Sequence, residues 1–368
     1  LIKKQEENKM PNFDLANLAL QAVCPNNVLL YDDKNLPSAM VKIPKMTYAQ
    51  LGLGDSSATH PAFIVNGQEV SAIYISKYQN VVMNGRAYSL PGEDPRATIT
   101  GDAALAACTA KGAGWHLMTR AEWALLALWC KQNGTQPTGN NNYGKDTSET
   151  LYKAIPSMDR DSSNRIQRVA TGTGPLEWSH DGTPAGIWDL NGNVWEWVGG
   201  IRTVYGELQI LANNNAADSD NSQAATSAQW MAINAATGEL MTPDGSGTTS
   251  GSVKIDWVSS HARYVSTITT QEATGRSCTF ESVDCDSTIG DDTKLLLQAL
   301  ALLKYDDTSG AYNGDYFYFN NGEAERGFRC GGVWDGGATA GVFDVNGGSS
   351  FRSASLTIIG FRSAFVEL

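Results

Sequence analysis

The sequence lacks several things that whole classes of protein require. Over 368 residues no apolar run reaches the roughly 18 residues that cross a bilayer, so no membrane insertion is expected. The opening residues lack the apolar centre of a secretory signal; a chain of the cytosol, or one that leaves the cell by another route such as lysis, is expected. Positive charge is scarce as well. Lys and Arg number 27 against 39 Asp and Glu, a net charge of −12, and beyond the short "LIKKQEENK" no basic stripe exists to meet a phosphate backbone, which excludes nucleic acid as the expected partner. Six cysteines (Cys24, Cys108, Cys130, Cys278, Cys285, Cys330) form no CxxC pair and no zinc-type spacing. Buried reduced thiols are the default, and only Cys278 and Cys285 are close enough in sequence to suggest a loop-closing bridge. No nucleophile elbow G-x-S-x-G occurs.

What is present is an apolar content of 42%, enough for a genuine core in one large domain with insertions or in two modest ones. Residues 1–45 form a lead-in, with a short helical pattern in "FDLANLALQAV". From about Val41, "AMVKIPKMTYA" and "AIYISKYQNVVM" show the alternation of half-buried strands. "TGDAALAACTAKGAG" predicts a helix with Asp102 as its cap and Gly112 and Gly114 as its stop. "WHLMTRAEWALLALWCKQNG" predicts a second helix. There Thr119 and Glu122 have capping-box spacing, Trp123, Leu126, Ala127 and Cys130 share a face, and Gly134 ends the run. In "GIWDLNGNVWEWVGGIR" the Asn-Gly-Asn turn precedes an alternation that puts Trp195 and Trp197 on one face and Glu196 on the other. Residues 203–320 are looser. They predict a long insertion too poor in aromatics to be the main core, with "DTKLLLQALALLKY" its one convincing helix. Two helices in a strand-rich chain indicate the α+β class.

Five blocks, "AIYISKYQ" (72–79), "GWHLMTRAEWALLA" (114–127), "GIWDLNGNVWEW" (186–197), "RGFRCGG" (326–332) and "IGFRSA" (359–364), stand in an order that resembles the formylglycine-generating, sulfatase-modifying superfamily. The resemblance implies a C-type-lectin-like domain over residues 46–368. It implies two helices flanking small twisted antiparallel sheets, and N- and C-terminal strands that pair. It also raises the question of enzymatic activity. Formylglycine-generating members use two late cysteines, and here only Cys330 stands late, inside a fold-defining block. Related iron-dependent sulfoxide synthases need a histidine cluster, whereas His60, His116, His180 and His261 are far apart with no HxxxH among them; His116 reads as structural. A protein without catalytic residues, cofactor or metal is therefore expected. A calcium ion near "GNVWEW" would draw oxygens from Asn193 and Glu196, and two fall short of the 6 to 8 that calcium prefers, so no metal is assigned.

The last residues carry a second signature. From Arg326 to Val366 there is no Lys, Gln, Glu or Met, and apart from Trp334 every residue type is one that a codon ending in C can encode. This looks like the variable protein of a diversity-generating retroelement, in which adenines of AAC codons are randomised near the 3′ end of the gene. A surface that accepts many side chains needs a backbone held by constant neighbours. By the resemblance, Trp195, Trp197, Trp334, Gly341, Phe343, Arg352, Gly360, Phe361 and Arg362 are scaffold. The positions expected to vary and bind ligand are Val333, Asp335, Gly336, Thr339, Asp344, Asn346, Ser349, Ser350, Phe351, Ala354, Leu356, Thr357 and Ile358, gathered on one solvent-facing patch. Leu356–Ile358, Phe351 and Val333 would make its apolar centre. The bland alternative is a buried strand over "SLTIIGFRSAFV". The expected function is ligand or receptor binding, at a phage tail tip or on a bacterial surface. The partner would be a variable protein or glycan of a host or neighbouring cell, and a homotrimer would add avidity. The competing expectations are a metal-dependent oxidase of the sulfatase-modifying type and a structural virion protein without a ligand of its own.

Overall fold

In the computed structural model, which describes residues 12–348 and 351–368, the chain is a mixed α+β protein with a few helices and several sheets. The helices are α1 (Asn12–Val23), α2 (Gly101–Thr109), α3 (Arg120–Asn133) and α4 (Asp291–Ala299). None is long and apolar enough to cross a membrane among the described residues. α3 follows its sequence signals closely. Thr119 accepts from the Glu122 N–H, the Glu122 carboxylate accepts from the Thr119 N–H, and Gly134 closes the helix at φ 67°. Glu122 then binds His116, whose Nε2 donates to Oε1 at 2.8 Å while Nδ1 donates to the Gly114 carbonyl at 2.9 Å. Burial pulls the imidazole's pKa down, but the Glu122 charge and these hydrogen bonds leave it raised overall.

Two helix expectations need correction. Thr100, not Asp102, caps α2 by accepting from the Ala103 N–H; Asp102 lies in the first turn, where its charge suits the helix dipole. α4 stops at Ala299 instead of running through "LALLKY". Beyond it Ala301 takes φ 47°, and Leu300 to Leu303 turn into the core. The freed carbonyls are claimed from outside the helix. Arg120 donates from Nε to Leu300 O (2.8 Å) and from Nη2 to Ala301 O (2.6 Å). His60 Nε2 donates to Ala299 O (2.8 Å). These partners satisfy acceptors that another helical turn would have used internally.

A five-stranded sheet has the order 27–31, 37–44, 72–76, 363–365, 115–117. The C-terminal strand thus lies between strands from the front of the chain, antiparallel to both, with Ala364 opposite Ile75 and His116. A twelve-stranded sheet is built around Trp195–Val204, which pairs antiparallel with Glu207–Ile210 and Arg326–Cys330 and parallel with Ile359–Phe361. The 203–320 segment departs from expectation. Its strands extend this sheet, and Leu208, Ile255, Tyr264, Phe280, Phe317 and Phe319 share one core with Trp123 and Leu125 of α3. Alternation along paired strands directs its few aromatics inward. All six cysteines are free. Cys278 accepts a hydrogen bond from the Ala262 N–H, and Cys285 sits on a different strand, Asp284–Cys285, so the suggested bridge does not form.

The last strands of the chain cross from one sheet to the other at a single residue. Ile359–Phe361 belongs to the large sheet and Ser363–Phe365 to the small one, so Arg362 marks the crossing. Its guanidinium is fully buried and forks onto Glu196, Nε to Oε2 and Nη2 to Oε1, both at 2.6 Å. Two further donors reach Ser76 O and Trp188 O at 3.0 Å. Gln79 Nε2 adds a bond to Glu196 Oε1 at 3.0 Å. Removing one partner strands the other's charge away from water. Arg362→Met should lower the unfolding free energy by about 3–5 kcal/mol in chemical denaturation. Arg362→Met combined with Glu196→Leu should recover much of that loss, and a double variant no more stable than the single one would contradict this account.

Candidate functional site

Two loops of the terminal run reach solvent, residues 333–339 and 351–358, and both are held by their main chain. In the first, Trp334 O accepts from Tyr143 N (2.7 Å), and Gly337 N donates to Asn141 O (2.8 Å). In the second, Arg352 O accepts from Gly101 N (2.8 Å), Leu356 O from Thr98 N (3.0 Å) and Ile358 O from Trp195 N (2.9 Å). Arg168 Nη1 donates to Thr357 O at 3.0 Å and is itself forked onto Asp94. Each of these ties comes from a residue upstream of Arg326, in addition to turn hydrogen bonds within the run such as Gly336 N to Val333 O and Ala354 N to Phe351 O. Backbone groups persist whatever side chain is present, so these ties survive substitution at the loop positions.

The side chains divide by burial. Asp335, Phe351, Leu356 and Thr357 are exposed, with Phe351 at 47% and Leu356 at 51%, while Gly336, Thr339, Ala354 and Ile358 are half-buried. Ala354 and Ile358 anchor the second loop on an apolar cluster that contains Val333, Trp334, Trp195, Trp197, Ile359 and Phe361, with Tyr318 and Tyr143 at its edge. Tyr318 meets Trp195 edge-on at 6.0 Å, and its hydroxyl lies 3.5 Å from Thr339 Oγ1. One aromatic platform therefore borders both loops. Phe351 is covered on one side by the Arg326 guanidinium, 4.0 Å from the ring centre.

Three positions expected at the surface are in the interior. Val333 is 7% exposed because it packs in that cluster, so it is not part of an outward apolar patch. Asp344 is 1% exposed, with its N–H on Gly341 O and its carbonyl on Gly331 N. Asn346 is 6% exposed on Val345–Gly347, a strand paired on both sides. Ser349 and Ser350 lie outside the described residues. The bland strand alternative applies from Ile359 onward, where the run is buried in both sheets.

The scaffold positions lie where constant residues would be needed. Trp195 and Trp197 are buried and flank the Arg329 guanidinium at 5.5 and 5.6 Å. Trp334 is buried, and Phe343 packs against Tyr312 and Phe280. A Cβ on Gly341 would fall 2.1 Å from Asp315 Oδ1, and one on Gly360 would fall 2.8 Å from Arg96 O. Arg352 pairs with Glu325 and Asp102 and donates to Gln223 O. Phe361 and Arg362 are wholly buried. Sequence reasoning missed the wall behind the loops: Asp94, Thr98, Asn141, Tyr143 and Arg168. No local sequence signal marks them; in the structure Thr98 and Tyr143 are held at φ 54° and 53°, with their N–H groups on Leu356 O and Trp334 O.

The oxygens considered for calcium are taken. Asn193 Oδ1 accepts from Asn140 Nδ2 and Val169 N, and both Glu196 oxygens accept from Arg362. Among the described residues no group of three or more His, Cys, Asp or Glu stands together as a cation site. Cys330 accepts from Arg120 Nη1, and burial pushes its thiol up to about 11, which keeps it protonated at neutral pH.

Beneath the first loop lie two buried carboxyls. Asp315 accepts from the Phe343 N–H at 2.8 Å, and burial raises its pKa to about 7. Burial, with the Asp315 charge adding, holds Asp344 well above the carboxylate range against the opposing pull of Arg329. A carboxyl whose pKa rises on folding binds more protons folded than unfolded. The stability it contributes is therefore complete below about pH 4 and is lost as pH rises through the folded value. Asp315→Asn should match wild type near pH 4 and exceed it at pH 8 by roughly 3–4 kcal/mol in denaturant unfolding. An equal difference at both pH values would refute this.

No family model matches the chain, and no curated protein does. Among solved structures, a chain described as "Major Tropism Determinant U1 Variant" is distantly similar, at 12% identity and a TM-score of 0.31, over 89% of this chain and 62% of its own. The chain thus spans about three-fifths of that protein's length. Likeness at that score carries no argument, and function rests on the residues themselves.

Proposed function

We propose that this chain is a non-enzymatic receptor-binding protein that presents a diversified surface on a C-type-lectin-like framework of the formylglycine-generating-enzyme type. Its partner is a protein or glycan on a host or neighbouring cell, met from a phage tail tip or a bacterial surface, and a homotrimer supplies avidity. The carrying observation is the coincidence of two independent features. The run from Arg326 to Val366 avoids Lys, Gln, Glu and Met, and its exposed side chains sit on loops whose carbonyls are held by N–H and guanidinium donors from outside that run. Diversification needs both: codons that can change, and a backbone indifferent to the change. The α+β architecture and the C-terminal strand inserted beside Ala72–Ser76 fit the framework that the five sequence blocks imply.

A library with C-ending codons at Asp335, Thr339, Phe351, Leu356 and Thr357 tests the reading. Most members should unfold cooperatively within about 1 kcal/mol of the parent, as surface substitutions do, and individual members should differ in the whole bacterial cells that retain them. The same codons at Val333, Asp344 and Asn346 should abolish folding in most members. DNA beside the gene should carry a near-identical copy of the 3′ end, with AAC at the varying codons, next to a reverse transcriptase. Flanking DNA with neither feature, or a library that loses cooperative unfolding, overturns the proposal.

A further inference from the structure

A cavity lies away from these loops and shares no lining residue with them. It has a volume of about 200 Å³ and sits between Pro37–Pro44, α3 and the turn at residues 180–185. Val41, Ile43, Leu125 and Leu126 are its buried apolar residues; Met46 and Trp129 are half-buried, and Asn26, Lys42 and Pro44 are exposed at its rim. An engineered apolar cavity of about 150 Å³ takes up benzene, so this one has room for a six-membered ring with a short substituent.

His180 gives the cavity a polar feature. The residue is 4% exposed and lines the space, with its ring against Trp129 at 4.9 Å. Its position is fixed on every side. The N–H donates to Ile187 O, the carbonyl accepts from Cys130 Sγ and Thr135 Oγ1, and Nδ1 accepts from the Ile187 N–H at 2.8 Å. A ring nitrogen that accepts carries no proton, so the proton of the neutral ring is on Nε2. Nε2 has no partner among the described residues. Burial lowers the pKa to about 4, which keeps the ring neutral at physiological pH. Asp181 and Lys42 both line the cavity and their charges offset each other, so neither sign of ligand is selected, and a charged group would have to give up its water against the buried apolar wall.

We propose that this cavity is a binding site for a small neutral molecule, aromatic or branched aliphatic, that carries one hydrogen-bond acceptor such as a ketone or ester oxygen and receives the proton of His180 Nε2. The apolar wall supplies affinity and the single donor supplies selection. Acetophenone is a suitable probe, and α-methylstyrene is its counterpart with the carbonyl replaced by a carbon–carbon double bond. Ligand-observed NMR titration of the full chain should show acetophenone binding at millimolar concentration or tighter. α-Methylstyrene should bind roughly three- to tenfold more weakly, the factor expected for one hydrogen bond. Met46→Trp, at a half-buried position, should fill the space and remove binding of both probes while leaving cooperative unfolding intact. His180→Phe should bring the two affinities together. Failure of wild type to bind either probe, binding that survives Met46→Trp, or a preference for acetophenone that survives His180→Phe would overturn the assignment.

Discussion

The fork of Arg362 onto Glu196 is the interaction on which the arrangement of this protein depends. One residue earlier the chain is a parallel strand of the large sheet beside Trp195–Trp197, and one residue later it is an inner strand of the small sheet. A buried guanidinium has five donors to satisfy. Here four of its hydrogen bonds reach Glu196, Ser76 and Trp188, so the first sheet, the second sheet and the turn before "NGNVWEW" meet at one planar group. Such a pair adds little net stability over well-packed apolar residues, but it is strict about geometry. It sets where the chain crosses, and hence where the loop at 351–358 must end.

That loop is consequently pinned at both ends by arginines of different character. Arg362 is buried, whereas Arg352 is half-exposed and shares its donors among Glu325, Asp102 and the Gln223 carbonyl. Exposed ion pairs are individually weak, and several on one guanidinium hold it better than any one alone. Between these ends the framework grips carbonyl oxygens. Thr98 illustrates how firmly: a β-branched residue in the left-handed region is unfavourable by about 1–3 kcal/mol, and the surrounding contacts sustain it with its N–H on Leu356 O. A loop held by its carbonyls can change Phe351, Leu356 or Thr357 without loosening. A position whose side chain is itself packed lacks that freedom. Val333 and Asn346 belong to this second kind, and so does Asp344, whose carboxyl burial pushes well above its usual pKa.

How much of this was legible in the sequence depended on whether the controlling interaction was local. The capping box of α3, its Gly134 stop, the left-handed Gly192 and Asn193 and the opposed faces of Trp195 and Glu196 are consequences of residues a few positions apart, and they emerged as expected. The early end of α4 was not visible, because the acceptors that end it are claimed by Arg120 and His60, far away in sequence. The 203–320 segment was misjudged on composition; its aromatics are few, but pairing to the central strand places them in the shared core. In the terminal run, codon type says which residues a gene can exchange and not which side chains face water. Asp344 and Asn346 are polar and read as surface, yet strand pairing and the turn at Gly341–Asp344 take them inside.

The same contrast bears on how a display surface coexists with a stable fold. Buried ionisable groups cluster behind the loops: Asp315 and Asp344 under the first, with Arg329 between Trp195 and Trp197. Each is destabilising unless partnered, and each demands one arrangement of its neighbours. An apolar core of equal volume would tolerate sliding and repacking, and a shift of the platform would move every loop carbonyl away from its donor. Directional polar contacts inside, with side-chain freedom outside, therefore belong to one design. The interior must be particular about geometry for the exterior to be indifferent to sequence.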